Sequence, residues 1–451
     1  MRYLSLVSRM VLGSVFIFSG FVKAVDPLGS AYKFSDYFTA FGVGFMEFLA
    51  LPLGVILSAF ELVLGVTLIL GYRRNLVYRI VWWFLLFFTL LTLILALFNP
   101  VSDCGCFGDA LILTNWQTFL KNLILMLFVI PLFLMRDGDE GAEARPWSEW
   151  AVIIILFISA SGFSLWNHAH IPVIDFRPYD VGTLIRDEMG IPEGEAVDEY
   201  ETELVYRNRS TGDTETFTIE NYPRDTLEWE FVTSESRLVS KGYEPPIHDF
   251  AIMDQDGTDI VEHILSDKGY SLLMVSHDLT RVDGPSLLKA MDWSKLEILA
   301  DDFSFYAVTA SSTPEVENIS NDLGLDYPFY SADEIMLKTV VRSNPGFLLI
   351  SNGVIAGKWG FRDFPAVEEL QPGWSELIGN ATAPMDEEAQ LLMEAGVYEE
   401  FSYGVVDFGQ MISRLLFERQ SAGREHAAVA IFVIMVLLLV ALGHSISPVR
   451  L

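Results

Sequence analysis

The 451 residues contain only two cysteines, placed two apart as Cys104-Gly105-Cys106. Such a pair closes a disulfide only if a turn brings its Cα atoms within about 4.4–6.8 Å, and Gly105 supplies the backbone freedom that turn needs. So small a ring is strained, which favours an oxidising, rapidly exchanging bond. Three readings follow from the residues: a redox-active pair, a static structural disulfide, or thiols that are inert or bind metal. Two thiolates are too few for a closed zinc site, so no metal centre is expected. The segment DALILTNWQTFLKN begins a helix near Thr114 or Asn115, too far downstream for its dipole to activate either thiol.

Glu61 is the second unusual residue. It lies within ILSAFELVLG, an otherwise apolar stretch in which an ionised side chain is costly without a partner or a polar cavity. Gly54, Ser58, Glu61 and Gly65 recur at helical spacing and share a small, polar face. That face is suited to close packing against the first apolar stretch through Gly13 and Gly20. Lys23 ends that first stretch and either pairs with Glu61 or snorkels to the interface. Glu61 is therefore a buried packing residue, a proton relay or part of a cofactor site, with Lys23 beside it.

Around these residues the composition is contradictory until it is divided. The chain carries 60 acidic and 29 basic residues, a net charge of −31, yet is 51% hydrophobic with a mean hydropathy of +0.35. Residues 1–167 hold 11 acidic and 10 basic residues, whereas residues 168–424 hold 48 and 18. An apolar, nearly neutral block is thus joined to a strongly acidic, water-facing one. No basic surface is available to neutralise phosphates, so nucleic acid is not expected as a partner.

The apolar block reads as membrane spans, each needing about 20 apolar residues. The candidates are Leu4–Val25, Leu49–Leu70, Val77–Phe98, Trp116–Met135, Trp150–Trp166 and, far downstream, His426–Gly443. The first runs on through FSGFVKAVDP and lacks a small-x-small cleavage site, unlike a signal peptide. With six alternating spans, Arg2, Arg9, Arg73, Arg74, Arg79, Arg136, Arg145 and Arg450 all fall on one side. The positive-inside rule makes that side cytoplasmic, so both termini are inside while the Cys104 loop and residues 168–424 are exported.

Within the exported block, YETELVYRNRSTGDTETFTI predicts a hairpin turning at Thr211-Gly212-Asp213. From Tyr243 the pattern changes. A short strand and an Asp256-Gly257 turn lead to a buried strand in GYSLLMVSHD and a helix over PSLLKAMDWSKL. FSFYAVTAS is a further strand, EVENISNDLGL a helix ending at Gly324, and a strand starting at Asn344-Pro345 turns at Asn352-Gly353 into VIAGKW. This β-α-β-α-β-β order implies a central sheet covered by helices.

Two resemblances attach to these motifs. Residues 243–370, with the Asp-Gly entry and a proline before a late buried strand, resemble the thioredoxin-like superfamily. That family carries a Cys-x-x-Cys turn after its central strand, with a cis-proline packed against it. Here the turn reads Ser276-His277-Asp278-Leu279-Thr280-Arg281 and Pro345 stands at the proline position. Without a cysteine this domain cannot exchange disulfides by itself, which leaves it a binding role; His277-Asp278 alone lacks the specificity of a catalytic pair. The membrane block, through Phe18-Ser19-Gly20-Phe21-Val22-Lys23, Asp26-Pro27, Glu61 and Asp103-Cys104-Gly105-Cys106-Phe107-Gly108-Asp109, resembles the DoxX/MauE-like membrane proteins, on the MauE side because of its CGCFG loop. MauE works beside a thioredoxin-like partner in maturing a disulfide-rich periplasmic subunit of methylamine dehydrogenase, so the chain resembles a fusion of both halves.

The expected fold is a polytopic α-helical membrane protein, with a four-helix core and two further spans, carrying an exported α/β thioredoxin-like domain and a small β-rich module. The divisions read from the sequence are a membrane domain over 1–135, a cytoplasmic loop and fifth span over 136–167, and a periplasmic β-rich module over 168–242. A thioredoxin-like domain over 243–385, a helical linker over 386–424 and a last span with its tail over 425–451 complete the chain. The resemblances imply a bacterial inner-membrane location and redox support of exported proteins. Cys104 and Cys106 would carry the chemistry, Glu61 and Lys23 would form a site for a quinone, and an exported client or periplasmic redox partner would be engaged by the thioredoxin-like domain. A non-enzymatic assembly scaffold with a structural CGC disulfide, and a quinone-linked oxidoreductase subunit, are the alternatives.

Overall fold

The computed structural model describes residues 2–134, 147–298 and 300–371, together with 411, 412 and 416. The last expected span, the 136–146 loop and the 386–424 linker, apart from those three positions, therefore lie outside the described residues. Among the described residues, five helices are long and apolar enough to cross a membrane. They are α1 (Arg2–Val25), α3 (Ala50–Leu70, extended upstream by a 3-10 turn from Gly44), α4 (Arg74–Phe98), α5 (Asn115–Leu134) and α6 (Trp147–Ala169). Each coincides with one of the first five spans read from hydropathy.

The α3 helix is the centre of the bundle and packs against α1, α6 and α4. Its contact with α1 is backbone to backbone. A Cβ on Gly20 would lie 2.5 Å from the Leu62 nitrogen, and one on Gly65 would lie 2.6 Å from the Gly13 carbonyl oxygen. Small residues permit this approach, as expected where dispersion rather than the hydrophobic effect drives helix association. By contrast, Trp83, Phe87, Leu90, Ile94 and Leu97 of α4 are all exposed at helical spacing, a stripe suited to lipid.

A helix absent from the sequence reading, α2 (Pro27–Ala40), follows α1 directly. Asp26 caps it by accepting from the Gly29 amide at 2.8 Å, and Pro27 occupies its first turn. Gly54 of α3 meets α2 at Ser30 rather than meeting α1, so the small-residue face serves two neighbours.

Residues 183–250 form a separate compact unit. It contains α7 (Ile185–Met189) and an antiparallel sheet of β1 (Glu199–Asn208), β2 (Thr214–Thr218) and β3 (Trp229–Ser240), in the order β2-β1-β3. The expected hairpin is β1–β2, with Gly212 at φ +81° in its turn. Tyr206 gathers Phe217, Tyr222 and Phe231 into an aromatic cluster on this sheet.

The remaining chain builds α8 (Val261–Ser266), β4 (Tyr270–Ser276), α9 (Gly284–Ser294), β5 (Phe303–Thr309), α10 (Thr313–Leu323), β6 (Phe329–Ser331), α11 (Glu334–Val340), β7 (Gly346–Ser351), β8 (Val354–Gly360) and α12 (Val367–Leu370). The sheet order is β6-β5-β4-β7-β8, with β4, β5 and β6 parallel and β7 and β8 antiparallel to their neighbours. The central strands are apolar on both faces because helices cover both. Asn352 and Gly353 both take positive φ and form the β7–β8 turn. Two features correct the sequence reading. The entry expected as a strand makes only isolated bridges at Met253, and the order gains β6 and α11 before β7. Three residues of β6 are too few to show a period, which is why composition missed them. The Asn344–Pro345 bond is cis.

Candidate functional site

Between α4 and α5 the chain runs through a loop whose shape is set by short polar contacts. Asp103 accepts from the Gly105 amide at 2.8 Å, and Gly105 takes φ +66°, a conformation that favours glycine. The turn carries the two thiols to the same side, with Sγ of Cys104 and Sγ of Cys106 3.2 Å apart as free cysteines. The α2 helix lies over this loop. Lys33 pairs with Asp103 at 2.6 Å, Tyr37 donates to the Cys104 carbonyl at 3.0 Å, and a Cβ at residue 105 would lie 2.9 Å from Lys33 Cγ. Gly105 is thus required twice, for its φ and for the room it leaves to Lys33.

Beneath the loop, Lys23 of α1 and Glu61 of α3 form a buried ion pair at 2.7 Å. The ammonium hydrogens of Lys23 can all be assigned. The ammonium has three, matching acceptors at Glu61 Oε1 (2.9 Å), Glu61 Oε2 (2.7 Å) and Ser19 Oγ (3.0 Å). The single hydroxyl hydrogen of Ser19 is shared between two acceptors, Glu61 Oε2 and the Cys106 carbonyl oxygen, each 2.7 Å away. An ion pair inside a membrane helix bundle is held by such complete satisfaction, since an unpaired charge there is costly.

The thiols and the ion pair line one cavity of about 340 Å3. Phe16, Phe34, Phe84, Phe88 and Leu125 supply much of its wall, while Ser19, Lys23, Glu61, Lys121 and the cysteines supply the polar groups. Lys121 also lies 4.4 Å above the Phe107 ring. The thiols do not titrate alike. Hydrogen bonding from Cys104, aided by the charges of Lys121 and Lys23, brings Cys106 down to about 6, whereas the same bond and burial push Cys104 up. The arrangement favours one thiolate and one thiol sharing a proton, the form suited to nucleophilic exchange.

All four residues singled out in the sequence therefore meet at this cavity. The sequence reading missed Ser19 as their link, α2 as their cover and Lys121 as a nearby cation. Two of these had left a signal: Ser19 in the motif it shares with Lys23, and α2 in the Asp26-Pro27 cap-and-first-turn pair. Among the described residues no group of three or more His, Cys, Asp and Glu is placed to hold a metal.

The sheet domain meets the same end of the bundle. Arg342, 7% exposed, pairs with Asp26 at 2.9 Å and with Asp109 at 2.7 Å, and its guanidinium lies over the Tyr32 ring. Its charge lets the buried Asp26 carboxyl stay below the ordinary carboxylate range despite desolvation. His277, in the turn that follows β4, faces Tyr32 edge-on with ring centroids 6.2 Å apart. A second buried cluster joins the segment after α6 to this domain: Asp175 pairs with Arg177 at 2.7 Å and with Lys358 at 2.5 Å.

Comparison with known proteins divides along the same lines. Residues 1–135 match the family described as methylamine utilisation protein MauE. Residues 200–241 match a domain family of unknown function, DUF8463. A solution structure from Bacteroides thetaiotaomicron, described as a candidate protein disulfide isomerase, is 17% identical over 33% of this chain and 91% of its own, with a TM-score of 0.22. No curated protein matches the chain. The MauE match and the five apolar helices make this a multi-pass membrane protein.

Proposed function

We propose that the chain is a membrane-embedded thiol–disulfide redox protein that supports the maturation of exported proteins. One observation carries this reading: its only two cysteines lie 3.2 Å apart on the wall of an apolar cavity that also holds the Lys23–Glu61 pair. From the form with one thiolate and one thiol, oxidation joins the two sulfurs and releases two electrons and one proton; exchange with a client's two thiols returns the electrons and leaves the client with a disulfide. In that exchange a client thiolate attacks the disulfide, and Cys106, the more acidic thiol, is the leaving thiolate. The MauE match and the disulfide-isomerase description of a distant neighbour are in keeping with this chemistry.

The cavity suits a lipid-soluble quinone. Its size falls in the usual range for small-molecule sites, its walls are aromatic, and its polar groups are few. Lys23 and Glu61 would hold the oxygenated end of such a ring by giving up one of the hydrogen bonds they make to each other. A quinone there would supply a sink for two electrons and two protons. In this reading the protein lies in a bacterial inner membrane, with residues 168–424 in the periplasm and the client engaged on that side.

Trapping thiols in growing cells tests the proposal. A Cys104–Cys106 pair that shifts between reduced and oxidised forms with added oxidant, and exported proteins that accumulate free thiols when both cysteines are replaced by serine, are the expected results. A pair that stays oxidised under all conditions, with an unchanged thiol pattern in the double variant, would overturn the redox role and make the loop a structural staple on an assembly scaffold. Quinone retained in gently purified protein, and reduced by Glu61→Gln, is the expected result for the cavity.

A further inference from the structure

The surface of the sheet domain that surrounds His277 and Arg342 already has a partner, the chain's own α2 helix and Cys loop. Arg342 is the centre of this contact. It is planar and two-pronged, and it uses different nitrogens for two carboxylates far apart in sequence: Nε for Asp26 and Nη2 for Asp109. Asp26 is the residue that caps α2, so one carboxyl both starts that helix and receives the sheet domain. Asp109 closes the CGCFGD segment. The guanidinium therefore fastens the start of α2 to the end of the dithiol loop. There is no room for slack at this point, because a Cβ on Gly29 would lie 2.5 Å from Asp26 Oδ2 and 3.1 Å from Arg342 Nη2.

Further along α2, Tyr32 is held from the sheet-domain side by Lys338 at 4.8 Å and by Arg342 at 5.2 Å from its ring. The next residue, Lys33, and Tyr37 one turn later bind the dithiol loop from the other side. The helix is thus gripped between the sheet domain and the thiols, and cannot rise from one without disturbing the other. The cavity has a different exit. Phe41 and Phe87 line it and are 50% and 61% exposed, and Phe87 belongs to the apolar stripe of α4.

We propose that the sheet domain is a cap on the dithiol, latched by Arg342, which closes the aqueous route to Cys104 and Cys106 while leaving the cavity open towards the bilayer. Water-borne thiol reactants then reach the pair only when the latch opens, and apolar reactants reach it from the side without that opening. This assigns the cysteine-free face at residues 276–281 to the chain's own membrane domain, and a foreign client must dock elsewhere or displace it. The functional consequence rests on the redox reading above, but the latch itself is a statement about access.

Labelling kinetics test it in the full chain, reduced and reconstituted in a phosphatidylcholine–phosphatidylglycerol bilayer. Two probes are used, a sulfonated membrane-impermeant maleimide and an uncharged N-alkyl maleimide. In the native chain the uncharged probe reacts with the pair much faster, relative to each probe's rate with free cysteine. Arg342→Met raises the rate of the charged probe about tenfold and changes that of the uncharged probe less than about twofold. Should Arg342→Met fail to fold, Asp109→Asn removes the half-exposed prong only and gives a smaller increase in the same direction. Equal relative rates for both probes in the native chain, or a charged-probe rate unmoved in a folded variant, overturns the cap. A pair that proves to be purely structural in cells leaves this contrast of rates intact, so the two proposals fail separately.

Discussion

Ser19 Oγ lies 2.7 Å from the main-chain carbonyl of Cys106 and 2.7 Å from Glu61 Oε2. Through this one hydroxyl the ion pair between two spans is tied to the backbone of a thiol 87 positions away in sequence. The loop is not simply resting on the bundle. Its second cysteine is held by the same network that satisfies the buried charges.

Breaking that network unevenly has a distinct signature. Glu61→Ala strands the Lys23 ammonium among apolar side chains and is expected to cost about 3–5 kcal/mol, whereas Glu61→Ala with Lys23→Met costs clearly less because no unpaired charge remains. Thermal unfolding of the detergent-solubilised variants measures both. Equal losses in the single and double variants would mean that the pair contributes as packing volume rather than as charge.

The asymmetry of the thiols predicts a pH profile. A Cys106 group near 6 is mostly thiolate at neutral pH, so its alkylation rate rises through about pH 6 and is flat above pH 7, unlike that of an ordinary thiol near 8.5. Lys121→Met removes one of the stabilising charges and moves the midpoint upward. A native midpoint above pH 8 would contradict the shared-proton arrangement.

Gly105→Ala meets two obstacles, a φ of +66° and the Lys33 side chain. The expected cost is about 1–2 kcal/mol. The same change loosens the turn that aligns the sulfurs, so closure of the reduced pair by a mild oxidant slows. Stopped oxidation followed by mass analysis reads the rate, and an unaltered rate would separate the turn from the chemistry.

His277 gives the cap a pH dependence. Burial, with Lys338 adding to it, lowers its pKa to about 4 from 6.5; Glu334 and Asp278 oppose the shift and Arg281 adds to it, while Tyr32 faces the ring from α2. A lowered folded-state value means that the unfolded chain binds the extra proton first. The stabilisation is therefore complete above about pH 6.5 and is lost as pH falls toward 4. His277→Gln should flatten stability between those limits, as measured by chemical denaturation of the full chain. A steeper decline in the variant would assign the titration to another group.

The sequence by itself determined the five described spans, the CGC pair, the oddity of Glu61 and most of the sheet, because each rests on a local property. Twenty apolar residues, a glycine between two thiols, a charge in an apolar run or an Asn-Gly turn means the same in any context. Composition alone also separates the acidic block from the apolar one. What the tertiary structure decided is everything that depends on which distant residues share a wall. Lys23 could have snorkelled, but the close approach of α1 and α3 at Gly20 brings it to Glu61. Nothing near Arg342 in sequence announces that it will bind Asp26 and Asp109, more than 230 residues away. Helix α2 was half-legible in its Asp-Pro start, yet its position between the dithiol and the sheet domain is a matter of packing. Local propensity selects elements, whereas burial of a charge is decided only when the chain supplies its partner from elsewhere.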